Sequence, residues 1–176
     1  MNLQHGVLVA VVVSRDDPDQ QGRIRVKYSW LAGDPVSAWA PIASPLAGPG
    51  RGLWFMPEVD DEVLVAFEKG HFDYPFVVGF LWNGVHQPPD TDFQHRIIVT
   101  PGGNELRFED NDNNKQIILK TAGNHAITLS DETGASRISI ESSNGQLVEI
   151  DDVANSITLR GGGRILKLAG GQVAIS

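Results

Sequence analysis

Residues 96–176 read RIIVTPGGNELRFEDNDNNKQIILKTAGNHAITLSDETGASRISIESSNGQLVEIDDVANSITLRGGGRILKLAGGQVAIS. One unit recurs along this stretch: two apolar residues separated by one, a few polar residues, a turn, then the pair again. The pairs are Ile97/Val99, Leu106/Phe108, Ile117/Leu119, Ile127/Leu129, Ile138/Ile140, Val148/Ile150, Ile157/Leu159, Leu166/Leu168 and Val173/Ile175. Apolar residues two apart point to one face of a strand. Turn formers stand between them: Pro101-Gly102-Gly103-Asn104, Asp110 to Asn114, Gly123-Asn124, Asp131 to Gly134, Asn144-Gly145, Asp151-Asp152, Gly161-Gly162-Gly163 and Gly170-Gly171. No window carries the helical period, so the stretch predicts strand, turn, strand, turn.

A single chain of this kind cannot close a core, because one apolar row needs a facing row. Repeat architectures bury such rows by stacking, and a narrow one also needs partners around its axis. The expectation is three copies about a common axis, each supplying one side of a prism. Its trimer core would be Leu106, Phe108, Ile117, Leu119, Ile127, Leu129, Ile138, Ile140, Val148, Ile150, Ile157, Leu159, Leu166 and Leu168. About nine rungs at roughly 4.8 Å give a rod of about 40 Å. Stiffness is expected from strand hydrogen bonds between the three chains and from a dry interior of Ile, Leu and Val. The last rung, Val173 and Ile175, leaves an apolar end with open strand edges, and such an end calls for a partner. Gln172, Val173, Ala174, Ile175 and Ser176 are the expected docking residues there.

Composition agrees with a turn-rich all-β chain: 19 Gly and 10 Pro in 176 residues. The formal net charge of -8 argues against nucleic acid, whose phosphates demand basic patches. There is no cysteine, which excludes disulfides, thiolate metal sites and Cys nucleophiles. No stretch is apolar for the roughly 18 residues of a membrane helix. The N-terminal run Val7 to Val13 lacks a basic region before it and a small-residue cleavage site after it. It reads as a first strand, and the protein is expected to be made in the cytoplasm and not to be exported by itself.

Ahead of the repeat, the strand signals are short and closely spaced. Gly6 to Arg15 is almost wholly apolar, as in a buried strand of a small barrel. Asp16 to Gly22 is a turn, and Arg23 to Tyr28 alternates basic against apolar, a half-exposed strand hairpinned to the first. Ser37 to Ala43, Leu53 to Phe55, Glu62 to Phe67 and Phe76 to Leu81 are further strands. The glycine-rich loop Pro45 to Gly52 lacks the Lys-Ser/Thr ending of a phosphate loop and leads into no helix, so it reads as structural. Five or six short strands in about 80 residues suggest an OB-type Greek-key barrel. Val85 to Asp90 is a stiff Pro-rich exit. The expected division is a barrel domain at 1–90 and a spike domain at 91–176.

These residues carry a resemblance. The hairpin of Asp17, Pro18 and Gly22 to Val26, then Trp39-Ala40, Gly48-Pro49-Gly50-Arg51-Gly52, Pro57-Glu58-Val59 with Asp61-Glu62-Val63, Ala66-Phe67, Pro75 with Val77-Val78-Gly79, and Asn83-Gly84 follow in order over about 85 residues. The set resembles the OB-fold domain of phage baseplate assembly protein V and of VgrG-type spikes. The resemblance implies an all-β chain: an N-terminal OB-fold Greek-key barrel, then a C-terminal triple-stranded β-helix formed by a homotrimer. It implies a structural central spike of a contractile tail or injection machine. Its partners would be itself, a baseplate hub protein, a PAAR-like tip protein on the C-terminal end, and tube-end proteins or effectors, with only transient contact to the target membrane. It would be assembled into the baseplate of a phage tail-like particle. The pattern departs from the family at Asp60, where Gly is frequent, and at His71, where an acid is frequent nearby. The chain begins at the barrel, as in a short phage-type spike whose hub is a separate protein. The interval Pro89 to His95 leaves no room for an inserted lysozyme.

No chemistry is expected. His5, His71, His86, His95 and His125 lie at no metal-binding spacing, and the end of the chain lacks the His-x-His apex of iron-tipped relatives. The carboxylates Asp16, Asp17, Asp60, Asp61, Glu62, Asp151 and Asp152 sit in turns and do not face across a cleft. Ser14, Ser29 and Ser37 have no elbow motif. Asp110 to Asn114 lacks the central Gly and closing Glu of a helical Ca²⁺ loop. The expectation is no catalytic, cofactor-binding or metal residue, no cofactor and no enzyme. Two alternatives stand: an OB module for single-stranded nucleic acid or saccharide, using Tyr28, Trp30, Trp39, Trp54, Phe55, Phe80 and Trp82, and a cell-wall hydrolase component.

Overall fold

The structure is a computed structural model that describes Gln4 and residues 6–175. His5 and Ser176, named above, lie outside the described residues. The chain forms two compact units, 1–87 and 88–176, each taken by itself below.

The first unit is built on strands β1 (Leu8–Ser14), β2 (Arg25–Lys27), β5 (Glu62–Phe67) and β6 (Pro75–Leu81), paired antiparallel in the order β2-β1-β5-β6. Strands β3 (Ala47–Gly48) and β4 (Arg51–Gly52) make a separate short hairpin. Thus the glycine-rich loop is not wholly irregular. The expected strand Ser37 to Ala43 is not a regular strand. It runs as an extended closing segment held at isolated bridges, Ile24 to Ala40 and Ile42 to Val77. Pro41 has no N–H to give a ladder, but its carbonyl accepts from Val77 N at 2.9 Å. Because Ala40 reaches Ile24 beside β2 and Ile42 reaches β6, this segment joins the two ends of the sheet into a barrel. Bulges in the β1–β2 and β5–β6 pairings help the short strands curve. Leu53 to Phe55 forms no strand either, and its three side chains are exposed.

The barrel interior is Ala10, Val12, Ile24, Val26, Tyr28, Ala40, Val63, Val65, Phe67 and Val77, all buried. Strand β5 shows the cause: Val63, Val65 and Phe67 alternate inward while Glu62, Leu64 and Ala66 alternate outward. β1 does the same despite its apolar run. Ala10 and Val12 are buried, whereas Val9 is exposed and its carbonyl accepts from Trp30 Nε1 at 2.8 Å. The run is therefore buried on one face, not two. Tyr28 sits in the core against Phe67 and Phe72, with ring centroids 6.1 and 5.0 Å away. Its hydroxyl has no protein partner, and burial pushes it up to about 12.

The second unit is one nine-stranded antiparallel meander: β7 (His95–Val99), β8 (Glu105–Asn111), β9 (Asn114–Lys120), β10 (Ala126–Ser130), β11 (Arg137–Glu141), β12 (Leu147–Asp151), β13 (Ser156–Gly161), β14 (Arg164–Ala169) and β15 (Gln172–Ile175). Each strand pairs with the next in sequence. The ladder hydrogen bonds thus run within one chain, where strand bonds between three chains were expected. Short turns make that possible. Gly162-Gly163 and Gly170-Gly171 both take positive φ at two successive residues, the geometry of a two-residue hairpin turn that suits the twist of its strands.

Candidate functional site

The register of the meander assembles the face. Leu106 stands opposite Leu119, Leu119 opposite Ile127, and the ladder continues through Ile140, Val148, Leu159 and Leu166 to Ile175. A second ladder runs Phe108, Ile117, Leu129, Ile138, Ile150, Ile157, Leu168, Val173. Directly paired residues share a face of a sheet. The fourteen side chains singled out from the sequence therefore line up in two parallel apolar rows on one side. No one-residue slip breaks them in any of these pairings.

The first rung differs from expectation. Ile98, not Ile97 or Val99, pairs with Leu106, and Arg96 pairs with Phe108. Ile97 and Val99 stand on the other face, opposite Arg107 and Glu105. Three consecutive apolar residues fit either register, and pairing with β8 decides between them.

In the single chain these rows are uncovered. Twelve of the fourteen side chains are exposed, from 39% at Phe108 to 51% at Leu119, with Leu106 and Leu166 half-buried. The side chains of the barrel core, by contrast, are buried. A shallow apolar trough of about 690 Å³ lies on the face over Ile98, Leu106, Leu119, Ile127, Ile140 and Val148. The opposite face is polar along its centre: Arg107, Thr128, Ser139, Glu149, Thr158 and Lys167, with Ile118 among them. At the last strand, exposure rises to 64% at Val173 and 77% at Ile175, and Gln172 and Ala174 are exposed as well.

The entry to the sheet is held by a charge cluster that the sequence reading did not assemble. Asp90 Oδ1 accepts from the backbone N–H of Asp92 at 2.8 Å and of Thr91, and its Oδ2 lies 2.9 Å from His95 Nδ1. His95 Nε2 is 3.7 Å from Asp92, and Glu109 stands opposite His95 in the ladder. Arg107 reaches Glu105 at 2.6 Å, Glu109 at 3.5 Å and Asp90 at 4.0 Å. The backbone N–H of Asp92 and the His95 ring hold the Asp90 carboxyl down at about 2. The Asp90 hydrogen bond, aided by the nearby charges of Asp92 and Glu109, raises His95 above its ordinary value. The signal in the sequence was Asp90-x-Asp92 just before a strand, a turn-capping pattern. Among the described residues, no three His, Asp or Glu side chains gather so as to hold a metal ion.

In the barrel unit, the seven aromatic residues named for a binding face do not all share one, and of the seven Trp54, Phe55 and Phe80 come together at one groove. Tyr28 is in the core, Trp39 lies under the Arg25 guanidinium at 5.8 Å, and Trp30 is tied to β1. Trp54, Phe55 and Phe80 line a groove of about 860 Å³ with Pro41 to Leu46, and Arg51 is the charged residue lining it. No helix among the described residues is long and apolar enough to cross a membrane.

Comparison with known proteins agrees with this architecture. Residues 8–82 match the type VI secretion system/phage-baseplate injector OB domain, and residues 116–176 match the phage baseplate V C-terminal trimerisation domain. The chain thus carries both matched domains of the phage baseplate V type, the OB domain followed by the trimerisation domain. Among curated proteins it is similar to the type VI secretion system spike protein VgrG1b of Pseudomonas aeruginosa, 28% identical over 131 residues. It is similar also to VgrG1c of the same organism, 26% identical over 129 residues. Each alignment covers 65% of this chain and 18% of the relative, so the chain spans about a fifth of the length of these relatives.

Proposed function

We propose that this chain is the structural central spike of a contractile injection machine, working as a homotrimer with no catalytic role and no cofactor. The observation that carries the reading is the pair of uninterrupted apolar ladders on one uncovered face of a single-layer sheet. A sheet with one apolar face must bury it against another layer, and the described residues of the second unit form no other layer. Burying what remains exposed of fourteen such side chains is worth roughly 1 kcal/mol each, on the order of 10 kcal/mol per chain before association costs. Three copies with these faces inward make a closed three-sided rod, with 1–90 as the barrel domain and 91–176 as the spike domain.

In this reading the barrel end docks on a baseplate hub protein and the tube, with tube-end proteins or effectors as further partners. The open β15 edge, with Val173 and Ile175, seats a PAAR-like tip protein. The rod pierces the target envelope when the machine contracts, touching the target membrane only in passing. The protein is made in the cytoplasm and assembled into the baseplate of a phage tail-like particle. Work comes from contraction elsewhere, and the spike has only to resist unfolding. Within each chain, the eight hairpin pairings of the meander supply that resistance.

Sedimentation of the full chain at micromolar concentration tests the assembly: a trimer is expected, and a stable monomer overturns the reading. For the tip, the full chain should retain a PAAR-like protein on a column and a chain truncated before Gly170 should not. Equal retention would remove the docking role.

A further inference from the structure

The hairpin turns of the meander fall alternately on two edges of the sheet, and the two edges differ in charge. One edge carries the turns Asp112–Asn113, 131–136, 152–155 and Gly170–Gly171. These hold Asp112, Asp131, Glu132 and Asp152 and no Lys or Arg, with Asp110 and Asp151 at the adjoining strand ends. Glu132 is 3.8 Å from Arg137 on β11, Asp110 is 3.3 Å from Arg96 on β7 and stands opposite Lys115, and Asp112, Asp131 and Asp152 are the turn carboxylates beyond these pairs. The other edge carries the turns 100–104, 121–125, 142–146 and Gly162–Gly163. These hold no Asp or Glu but Asn104, Asn124, His125, Asn144 and Gln146, with Lys120, Arg160 and Arg164 at the adjoining strand ends. Glu105 and Glu141 also adjoin this edge, and Glu105 is engaged by Arg107 at 2.6 Å.

We propose that copies of this chain meet edge to edge, the acidic turn edge of one against the acid-free turn edge of the next, so that charge sets all copies parallel around the rod. The proposal rests on the homotrimer reading above and adds the surface and the polarity of the contact. Rotation about an axis along the ladders brings unlike edges together at every contact. Turning one copy end over end brings like edges together, placing Asp112, Asp131, Glu132 and Asp152 against the same residues of the neighbour. Like charges at an interface suppress a wrong partner or register. The geometry fits as well. Turns on the two edges are offset by one strand, about 4.8 Å, so the turns of one copy enter the gaps between those of its neighbour. Asp152 then lies level with the space between the 142–146 turn and Arg164, and Asp131 with that between His125 and the 142–146 turn.

The chain has no cysteine, so introduced ones report contacts cleanly. Ala154→Cys marks the acidic edge and Asn144→Cys the other, with the whole of β12 between them, too far for a bridge within one chain. After oxidation, the double variant should run as a covalent trimer on a denaturing gel, and each single variant as a monomer. Covalent dimers of either single variant, or no cross-linking of the double one, would overturn the proposal. Independently, Asn104→Asp, Asn124→Asp and Asn144→Asp together make both edges acidic. Association should weaken by about tenfold or more at low salt and recover at high salt. Association unchanged at low salt would also overturn it. A wild type that sediments as a monomer removes the homotrimer reading and this one together. A trimeric wild type with failed edge tests removes only this one.

Discussion

Asp17 and Arg23 close the first hairpin of the barrel with a two-pronged ion pair: Arg23 Nε lies 3.0 Å from Asp17 Oδ2 and Nη2 lies 2.7 Å from Oδ1. The same carboxylate accepts from the backbone N–H groups of Asp19, Gln21 and Arg23, so it organises the whole turn. Arg23, with these N–H groups, holds the Asp17 carboxyl well below the usual carboxylate range. Because its folded value is depressed, its contribution is complete above the unfolded carboxylate range, near pH 4, and is lost as pH falls below it. Asp17→Asn should lower Tm at pH 7 by several degrees, with the gap to wild type narrowing as the pH is taken down toward 2. A thermal melt series checks this, and a constant gap would contradict it.

His95 should contribute in the opposite direction. Its folded pKa is raised, so its bond to Asp90 stabilises fully below about pH 6.5 and is lost as pH rises through the folded value. His95→Gln should therefore cost more Tm at pH 5.5 than at pH 8.5. Hydrogen exchange at residues 90–96 should show the same pH dependence.

The apolar ladders should be sensitive to charge on one side only. Ile138→Asp puts a carboxylate in the middle of the face, and in a three-fold rod three of them would meet near the axis. Sedimentation should show loss of the trimer. Ser139→Asp, the next residue but on the polar face, should leave assembly unchanged. Ile138→Ala should cost about 2–5 kcal/mol per chain in the trimer.

Gly22 should accept a side chain only at a cost. Its φ is +72°, and an added Cβ would lie 2.6 Å from the Trp54 ring. Gly22→Ala should destabilise the barrel by at least about 1 kcal/mol in denaturant titration. Asp60 is the converse: it holds φ +76° with a side chain, at the position where the family often has Gly. Asp60→Gly should leave Tm unchanged or raise it, and Asp60→Val should lower it.

Much of the spike unit was legible because its signal is local. Pairs two apart, cut by Gly, Asn and Asp at short intervals, fix strand and turn, and the fourteen side chains named from the sequence share one face, but the same pattern did not reveal that the strands pair within one chain. The barrel was legible in outline but not in its strands. Ser37 to Ala43 reads as a strand, yet Pro41 breaks its ladder and it closes the ring through isolated bridges. Leu53 to Phe55 is apolar enough for a strand but lies exposed beside a groove. The Asp90–His95–Arg107 cluster was missed because its members come together only when β7 pairs with β8.

The sequence by itself determined the all-β class, the two-part organisation into barrel and repeat, and the rows of the apolar face. Period-two alternation and positive-φ turn residues are properties of a few neighbouring residues, so they can be read along the chain. Only the tertiary structure decided the first register, where Ile98 takes the place on the apolar face from Ile97, and the pairing of each meander strand with its own neighbour in the chain. It also decided which turns share an edge, and hence the charge difference between the two edges. Those depend on which strand pairs with which, and pairing is a contact between segments whose local sequences are compatible with more than one partner.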